Sequence, residues 1–478
     1  MRYLLVALTA CVLAAPGTAS AAFAKTDQMI AMSDGARLAA TSYVPDGVAP
    51  AGGWPAVLLL HGLGESRTYT ANAVGMSMNT IAETQLVPQG YAVLTFDARG
   101  HGESEGLVAV DGPREIQDVR ELFNWIITSN MNVNPQKVGA FGYSYGGGAI
   151  WRAAAEGVPF AAIAPAVAWT DLYAALAPQD LARSGVILGF WQSIAARAAP
   201  EVDPILQDAL AGRNLPAVRA FTRARSTSHL LGQIKVPTFM LQGRRDFAFD
   251  VDQALAPYAR IKAPKRIYFA DFGHAPSPRP AGELEHVLPE VRLWFDRFLK
   301  GLPNGIDKQR PVELAPDPWT GRTFSYRALP PRRTLKLSFP GSATIASSGK
   351  VARTRKRMRA RLETFGAPVV RLSLASTTGW PHVVVVLSAL TPQGKEIVVS
   401  SGGARVRLGR RLKRLTVKLI SQVTNVPPGS RLRLTVAGSS TAQSQGNLLY
   451  LSSVPRGARL DVGPVTMTLP HLVRPISR

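Results

Sequence analysis

Gly142-Tyr143-Ser144-Tyr145-Gly146 is a G-x-S-x-G pentapeptide between the apolar run Lys137–Ser144 and a helix-like stretch. Glycines flanking a serine at such a junction allow a strained backbone and close packing, so that the hydroxyl stands clear of the sheet. A serine used this way needs a base to take its proton and a carboxylate to orient that base, in the chain order Ser, Asp/Glu, His. Asp246 follows the apolar run Val236–Gly243 within Gly-Arg-Arg-Asp, at a strand end where sites of open α/β sheets gather. Asp250 and Asp252 are its rivals and read equally as helix-start acids, whereas Asp246 lies in the first turn beyond the strand. His274 closes Tyr-Phe-Ala-Asp-Phe-Gly-His, again just past a strand; His286 and His382 lack that setting, His229 precedes Asp246, and His101 precedes Ser144. Two backbone donors must hold a tetrahedral oxyanion. The expected pair is the N–H of Tyr145 and, from His-Gly-Leu-Gly-Glu-Ser, the N–H of Leu63. Together these residues predict acyl transfer through a covalent serine.

The competing use of a glycine run is to cradle phosphate. A P-loop places Gly-Lys-Ser/Thr at the helix start, but Ser144 is followed by Tyr145-Gly146-Gly147-Gly148. Neither Gly139 nor Gly142 opens a G-x-G-x-x-G fingerprint. No His and carboxylate cluster stands at metal-ligand spacing, so neither a cofactor nor a metal is expected.

These residues need a frame, and the sequence supplies one. Short runs that are apolar throughout (56–62, 91–100, 137–144, 160–167, 236–243, 266–273) alternate with helical patterns such as Gly112–Ser129, whose Ile116, Val119, Leu122, Phe123 and Ile126 share a stripe. That alternation predicts an α/β fold with a mostly parallel sheet covered on both faces. Residues 172–230 carry helical patterns without a clear strand and read as a helical lid. A helix is expected from near Pro289 to Gly301, ending a domain at 22–302, with a linker at 303–310. From 311 to 478, alternating β-branched residues and turns at Gln393-Gly394 and Pro427-Pro428-Gly429 predict an antiparallel all-β sandwich.

The charge is lopsided. Residues 311–478 hold 27 Lys+Arg against 5 Asp+Glu, so they carry +22 of the net +23. Arg353, Arg355, Arg357, Arg359 and Arg361 occupy every second position, which on a strand would put them on one face. Such a surface suits solvent, or contact with an anionic wall polymer or membrane surface. Nucleic acid is not expected, because no binding-module motif is present. At the other end, Arg2, the apolar run Tyr3–Ala15 and Ala19-Ser20-Ala21 read as a signal peptide over residues 1–21. Cys11, the single cysteine, could instead bear lipid, but the apolar run continues past it and simple secretion is favoured. Oligomeric state is not legible.

With those residues in place, the chain resembles the X-prolyl dipeptidyl-peptidase and cocaine-esterase family of serine hydrolases. Met32–Pro45, Phe96–Ser104, Val138–Gly148, Ile163–Pro178 and Leu241–Phe249 look like that family's segments in order. The resemblance implies an α/β-hydrolase fold followed by a jelly-roll-like sandwich, with Ser144, Asp246 and His274 as nucleophile, acid and base. It also implies a small ester or peptide substrate. Many members carry an Arg-x-Pro-Tyr segment whose tyrosine helps hold the oxyanion; here that place reads Leu58–Ser66, "LLLHGLGES", which favours a backbone donor. A dipeptidyl-peptidase also needs an acid to grip the substrate amine, and Asp171, Asp180 and Glu201 are available near or in the lid. Dipeptide release after proline, general ester hydrolysis, and a wall- or glycan-binding protein working through its basic sandwich are the readings the sequence allows.

Overall fold

In the computed structural model, which describes residues 23–70, 76–280 and 282–477, the apolar runs become the strands of one ten-stranded sheet. The expected signal segment, with Cys11, lies outside the described residues. The strands are β1 (Phe23–Ala31), β2 (Arg37–Pro45), β3 (Trp54–Leu60), β4 (Ala92–Phe96), β5 (Val133–Tyr143), β6 (Ala162–Ala166), β7 (Thr238–Gly243), β8 (Lys265–Ala270), β9 (Val312–Leu314) and β10 (Phe324–Tyr326). Their spatial order is β1-β2-β4-β3-β5-β6-β7-β8-β9-β10. Pairing is parallel from β4 through β9 and antiparallel at both edges.

β4 and β6 are buried at every position, as strands covered on both faces must be. One face packs against the helices Pro113–Thr128 and Tyr145–Ala155, the other against Glu283–Phe298. Helix Pro113–Thr128 starts where the sequence predicts: Pro113 needs no N–H bond there, and the Glu115 carboxylate reaches back to the Gly112 N–H at 2.8 Å.

Two boundaries differ from expectation. The last helix of the first unit begins at Glu283, not near Pro289, and Pro289 sits inside it. Buried Val287, Leu288 and Val291 supply packing, and buried Glu283 accepts from the Tyr268 hydroxyl and the Asp271 N–H. Those contacts outweigh the one helical bond that proline removes. The sheet also runs past residue 311: β9 pairs with β8 and is buried at all three residues. Residues 312–326 therefore belong to the first unit, and the separate sandwich begins near Arg332.

The lid region holds helices Leu172–Leu176, Ser184–Ile194, Val202–Ala211 and Leu215–Ala224, inserted between β6 and β7. Beyond it, one sandwich sheet orders Lys350–Arg357, Arg431–Ala437, His382–Leu390 and Glu396–Arg405. The other orders Arg332–Phe339, Arg459–Leu472, Val369–Ala375 and Lys413–Lys418. Inward residues such as Val385, Leu387, Leu372, Leu434 and Met467 form a core of their own. The expected row of five arginines on one face does not form. The strand ends at Arg357, a register shift between Thr354 and Arg357 breaks the alternation, and Arg353 turns onto the carbonyls of Phe339, Val462 and Gly463.

Candidate active site

Ser144 sits at the turn from β5 into helix Tyr145–Ala155 with φ 53° and ψ −114°. That backbone costs on the order of 1–3 kcal/mol for a residue with a Cβ and persists only where its surroundings fix it. Here the Ser144 N–H donates to Ala166 O at 2.8 Å, and its carbonyl accepts from Gly148 N at 3.0 Å. The glycine requirement is literal at Gly146, where a Cβ would fall 2.4 Å from the Leu60 carbonyl oxygen.

The structure brings Ser144, His274 and Asp246 together. Ser144 Oγ lies 2.8 Å from His274 Nε2, and His274 Nδ1 lies 2.8 Å from Asp246 Oδ2. Asp246 is fully buried; its Oδ1 accepts from the N–H groups of Ala248 (2.9 Å) and Phe249 (2.8 Å), and its Oδ2 from the His274 N–H at 3.1 Å. Three backbone donors and one imidazole leave the carboxylate in a single orientation. Phe249 and Phe190 close on the His274 ring, with centroids 5.1 and 6.1 Å away.

The rival residues lie elsewhere. Asp250 accepts from the Ser421 N–H of the sandwich, and burial, with help from Asp252, pushes its carboxyl up to about 7. Asp252 bonds Lys418. His382 lies inside the sandwich against Gly438 O, and His286 faces Glu313.

The two expected oxyanion donors share one wall. Gly146 N–H donates to His61 O at 2.9 Å, which clamps the loop after β3 against the start of the nucleophile helix. His61 accepts the Ala98 N–H at Nε2, so Nδ1 carries the proton and donates to Gly62 O at 2.7 Å. Burial lowers this imidazole to about 4, so it stays neutral and keeps that arrangement near pH 7. In a trans peptide, C=O and N–H point oppositely. Fixing the Gly62 carbonyl onto its own neighbour's ring therefore turns the Leu63 N–H the other way. Leu63, Tyr145 and Ser144 line the same pocket.

Sequence profiles agree with this geometry. The profile described as X-Pro dipeptidyl-peptidase (S15 family) matches residues 34–276, and the one described as X-Pro dipeptidyl-peptidase C-terminal non-catalytic domain matches residues 315–447. The chain belongs to the S15 family. A putative Xaa-Pro dipeptidyl-peptidase of Streptomyces avermitilis is 26% identical over 317 residues, covering 60% of this chain and 45% of that protein. A cocaine esterase of Rhodococcus sp. is 25% identical over 352 residues, covering 62% of this chain and 59% of that one. The chain thus spans about half the length of the curated relatives it matches. The fold is that of a CocE/NonD family hydrolase from Staphylococcus aureus, with TM-score 0.74, 15% identity and 94% of each chain covered. This S15 member is therefore a hydrolase of the serine type.

In this S15 member about 850 Å³ of empty space, part of it open to solvent, extends from Ser144 beneath the lid. Leu172, Leu176, Ile187, Phe190, Trp191 and Phe221 are among its walls, and no described residue lining it is charged. Asp171 caps helix Leu172–Leu176 through the Ala174 N–H, Asp180 takes the Tyr173 hydroxyl and Arg219, and Glu201 lies 3.9 Å from Arg225. None of these three acids is a wall of the pocket.

Behind the pocket is a group the motif reading missed. The Tyr145 hydroxyl donates to Glu115 Oε1 at 2.7 Å and accepts the Asp111 N–H at 3.1 Å, all buried. Burial pushes Glu115 up to about 7. Only the position of Glu115, on the helix start just after Asp111-Gly112, hinted at it. Between the ordinary carboxyl value and about 7, the folded chain holds a proton that the unfolded chain has lost. The contribution of Glu115 to stability therefore falls as pH rises through that window. Urea midpoints of Glu115→Gln relative to the parent should accordingly shift in the variant's favour between about pH 5 and pH 8; a constant difference would refute the assignment.

His286, Glu290 and Glu313 also converge, with ligand atoms within 4.8 Å of one another. Arg266 Nη2 lies 3.2 Å from Glu290 and 3.0 Å from Glu313, so a guanidinium already occupies the cation's place.

Proposed function

We propose that this S15 member is an exported carboxylesterase that acts on esters with an apolar acyl group through an acyl-enzyme on Ser144. The observation that carries the choice is the uncharged pocket over the serine. A free substrate amine buried there would find no carboxylate partner, and an unpaired buried charge is costly. Alkyl or aromatic groups instead gain ~25 cal/mol per Å² of apolar surface removed from water. Export rests on Arg2 and the apolar run that follows it.

The chemistry follows from the distances. His274 Nε2 takes the Ser144 proton as Oγ attacks the ester carbonyl, and the Tyr145 and Leu63 N–H groups receive the oxyanion. As the tetrahedral species collapses, His274 returns the proton to the departing alcohol. Water then enters, gives a proton to His274 and its oxygen to the acyl carbon, and Ser144 leaves with the proton restored. Asp246 keeps the Nδ1 proton in place and stabilises the imidazolium without taking that proton.

Dipeptide release after proline is the reading the family description favours, and the two separate cleanly in one assay. Specificity constants on p-nitrophenyl esters should rise from acetate through butyrate to hexanoate, by about tenfold or more for each two methylenes that find the pocket. Ala-Pro-p-nitroanilide should be turned over at background. Efficient anilide release with flat ester rates would establish the peptidase instead.

A further inference from the structure

The sandwich carries an exposed cationic loop that no part of the catalytic account uses. Residues 406–412 connect strand Glu396–Arg405 to strand Lys413–Lys418, and Arg407, Arg410, Arg411, Lys413 and Arg414 are all exposed. Leu412 stands among them with 59% of its surface in solvent. The loop is held at its base: Val406 N–H donates to Pro381 O and Ser376 N–H to Gly409 O, each at 3.0 Å. Ser376 Oγ also donates to Arg459 O at 2.6 Å, which brings exposed Arg459 beside the loop.

No ion pair among the described residues neutralises these six cations. From Arg332 onward there are three acids. Glu363 is buried against Arg244, Glu396 bonds Ser388 and lies 3.7 Å from Arg433, and Asp461 bonds Thr344. Leu412 is the most exposed leucine among the described residues, and it stands inside this cationic cluster. A soluble polyanion would engage the cations without it. An anionic bilayer uses both, phosphates for the cations and the headgroup–acyl boundary for the side chain.

We propose that loop 406–414 docks the protein peripherally on an anionic lipid surface, with Leu412 entering the headgroup layer and the surrounding cations pairing with lipid phosphates. The contact is peripheral because no helix among the described residues is long and apolar enough to cross a membrane. Each cation near such a surface strengthens partitioning by about fivefold, and salt weakens it.

The test is co-sedimentation of the full-length protein with vesicles of phosphatidylcholine, with or without phosphatidylglycerol. Binding should appear only with the anionic lipid and fall as salt rises. The variant Arg410→Glu/Arg411→Glu/Lys413→Glu should lose about a hundredfold or more in partitioning. Leu412→Ser should lose several-fold while keeping the salt dependence. Both should hydrolyse a soluble ester at the parent rate, since none of these residues lines the pocket. Equal binding to neutral vesicles, or parent-like binding by the triple variant, would overturn the proposal. So would parent-like vesicle binding by Leu412→Ser together with tight capture on immobilised polyphosphate, which would assign the loop to a polyanion.

Discussion

Ser144→Ala should reduce turnover of a short p-nitrophenyl ester by about six orders of magnitude while leaving the fold intact. The size of the loss follows from the dependence of each group on the others. His274 Nε2 has a proton to take only from Ser144 Oγ at 2.8 Å, and Asp246 acts only through His274. Removing the nucleophile therefore idles the base and acid together, and what persists is the modest acceleration from binding and the oxyanion donors. The fold should survive because the strain at position 144 is borne by backbone contacts to Ala166 and Gly148, not by the hydroxyl. Steady-state kinetics and circular dichroism of the purified variant check both halves.

The second large effect lies where the sandwich grips the acid loop. Arg244, two residues before Asp246, forms a fully buried ion pair with Glu363, and its Nε donates to Val423 O at 3.0 Å. Val423 N–H returns a bond to Arg244 O at 2.7 Å, and Val251 N–H donates to Ser421 O at 3.1 Å. Burial alone would raise the Glu363 carboxyl, but Arg244 and the Ser477 and Ile476 donors outweigh it and hold it below the ordinary range. Arg244→Met should strand that carboxylate without its cation and cost about 3–5 kcal/mol of stability. Arg244→Met/Glu363→Leu should recover only part of that loss, because it removes the stranded charge but leaves the Ile476 and Ser477 N–H groups and the Val423 carbonyl without their partners. Urea denaturation of the parent, single and double variants measures this, and a single variant as stable as the parent would contradict it. The depressed Glu363 value also fixes the sign with pH: its contribution is present above the ordinary carboxyl value and is lost as pH falls through the folded one.

That grip explains what the sequence could and could not reveal. Ser144, Asp246 and His274 were legible because each follows a strand whose apolar run marks it, and strand ends converge at one edge of a parallel sheet. Leu63 and Tyr145 stood out by position as candidate donors and do line the pocket with Ser144, but the His61 ring hydrogen bonds that fix the Gly62–Leu63 peptide are recorded by no motif. Helix Glu283–Phe298 and β9 were misplaced because proline and charge dominate those segments locally, while buried contacts to β8 decide their structure. The union of the sandwich with the acid loop pairs Arg244 with residues more than a hundred positions away, and periodicity carries no trace of such a contact. The row of arginines from 353 to 361 suggested a charged face, but a bulge disperses it, and the exposed cations gather instead at loop 406–414.

Every step proposed for this site depends on Ser144 being the acylated nucleophile. Brief reaction of the native protein with a fluorophosphonate, followed by peptide mapping, tests it most directly. One phosphonylated serine, Ser144, is expected, with labelling abolished in Ser144→Ala. An unlabelled native protein, or a label that persists in Ser144→Ala, would contradict it.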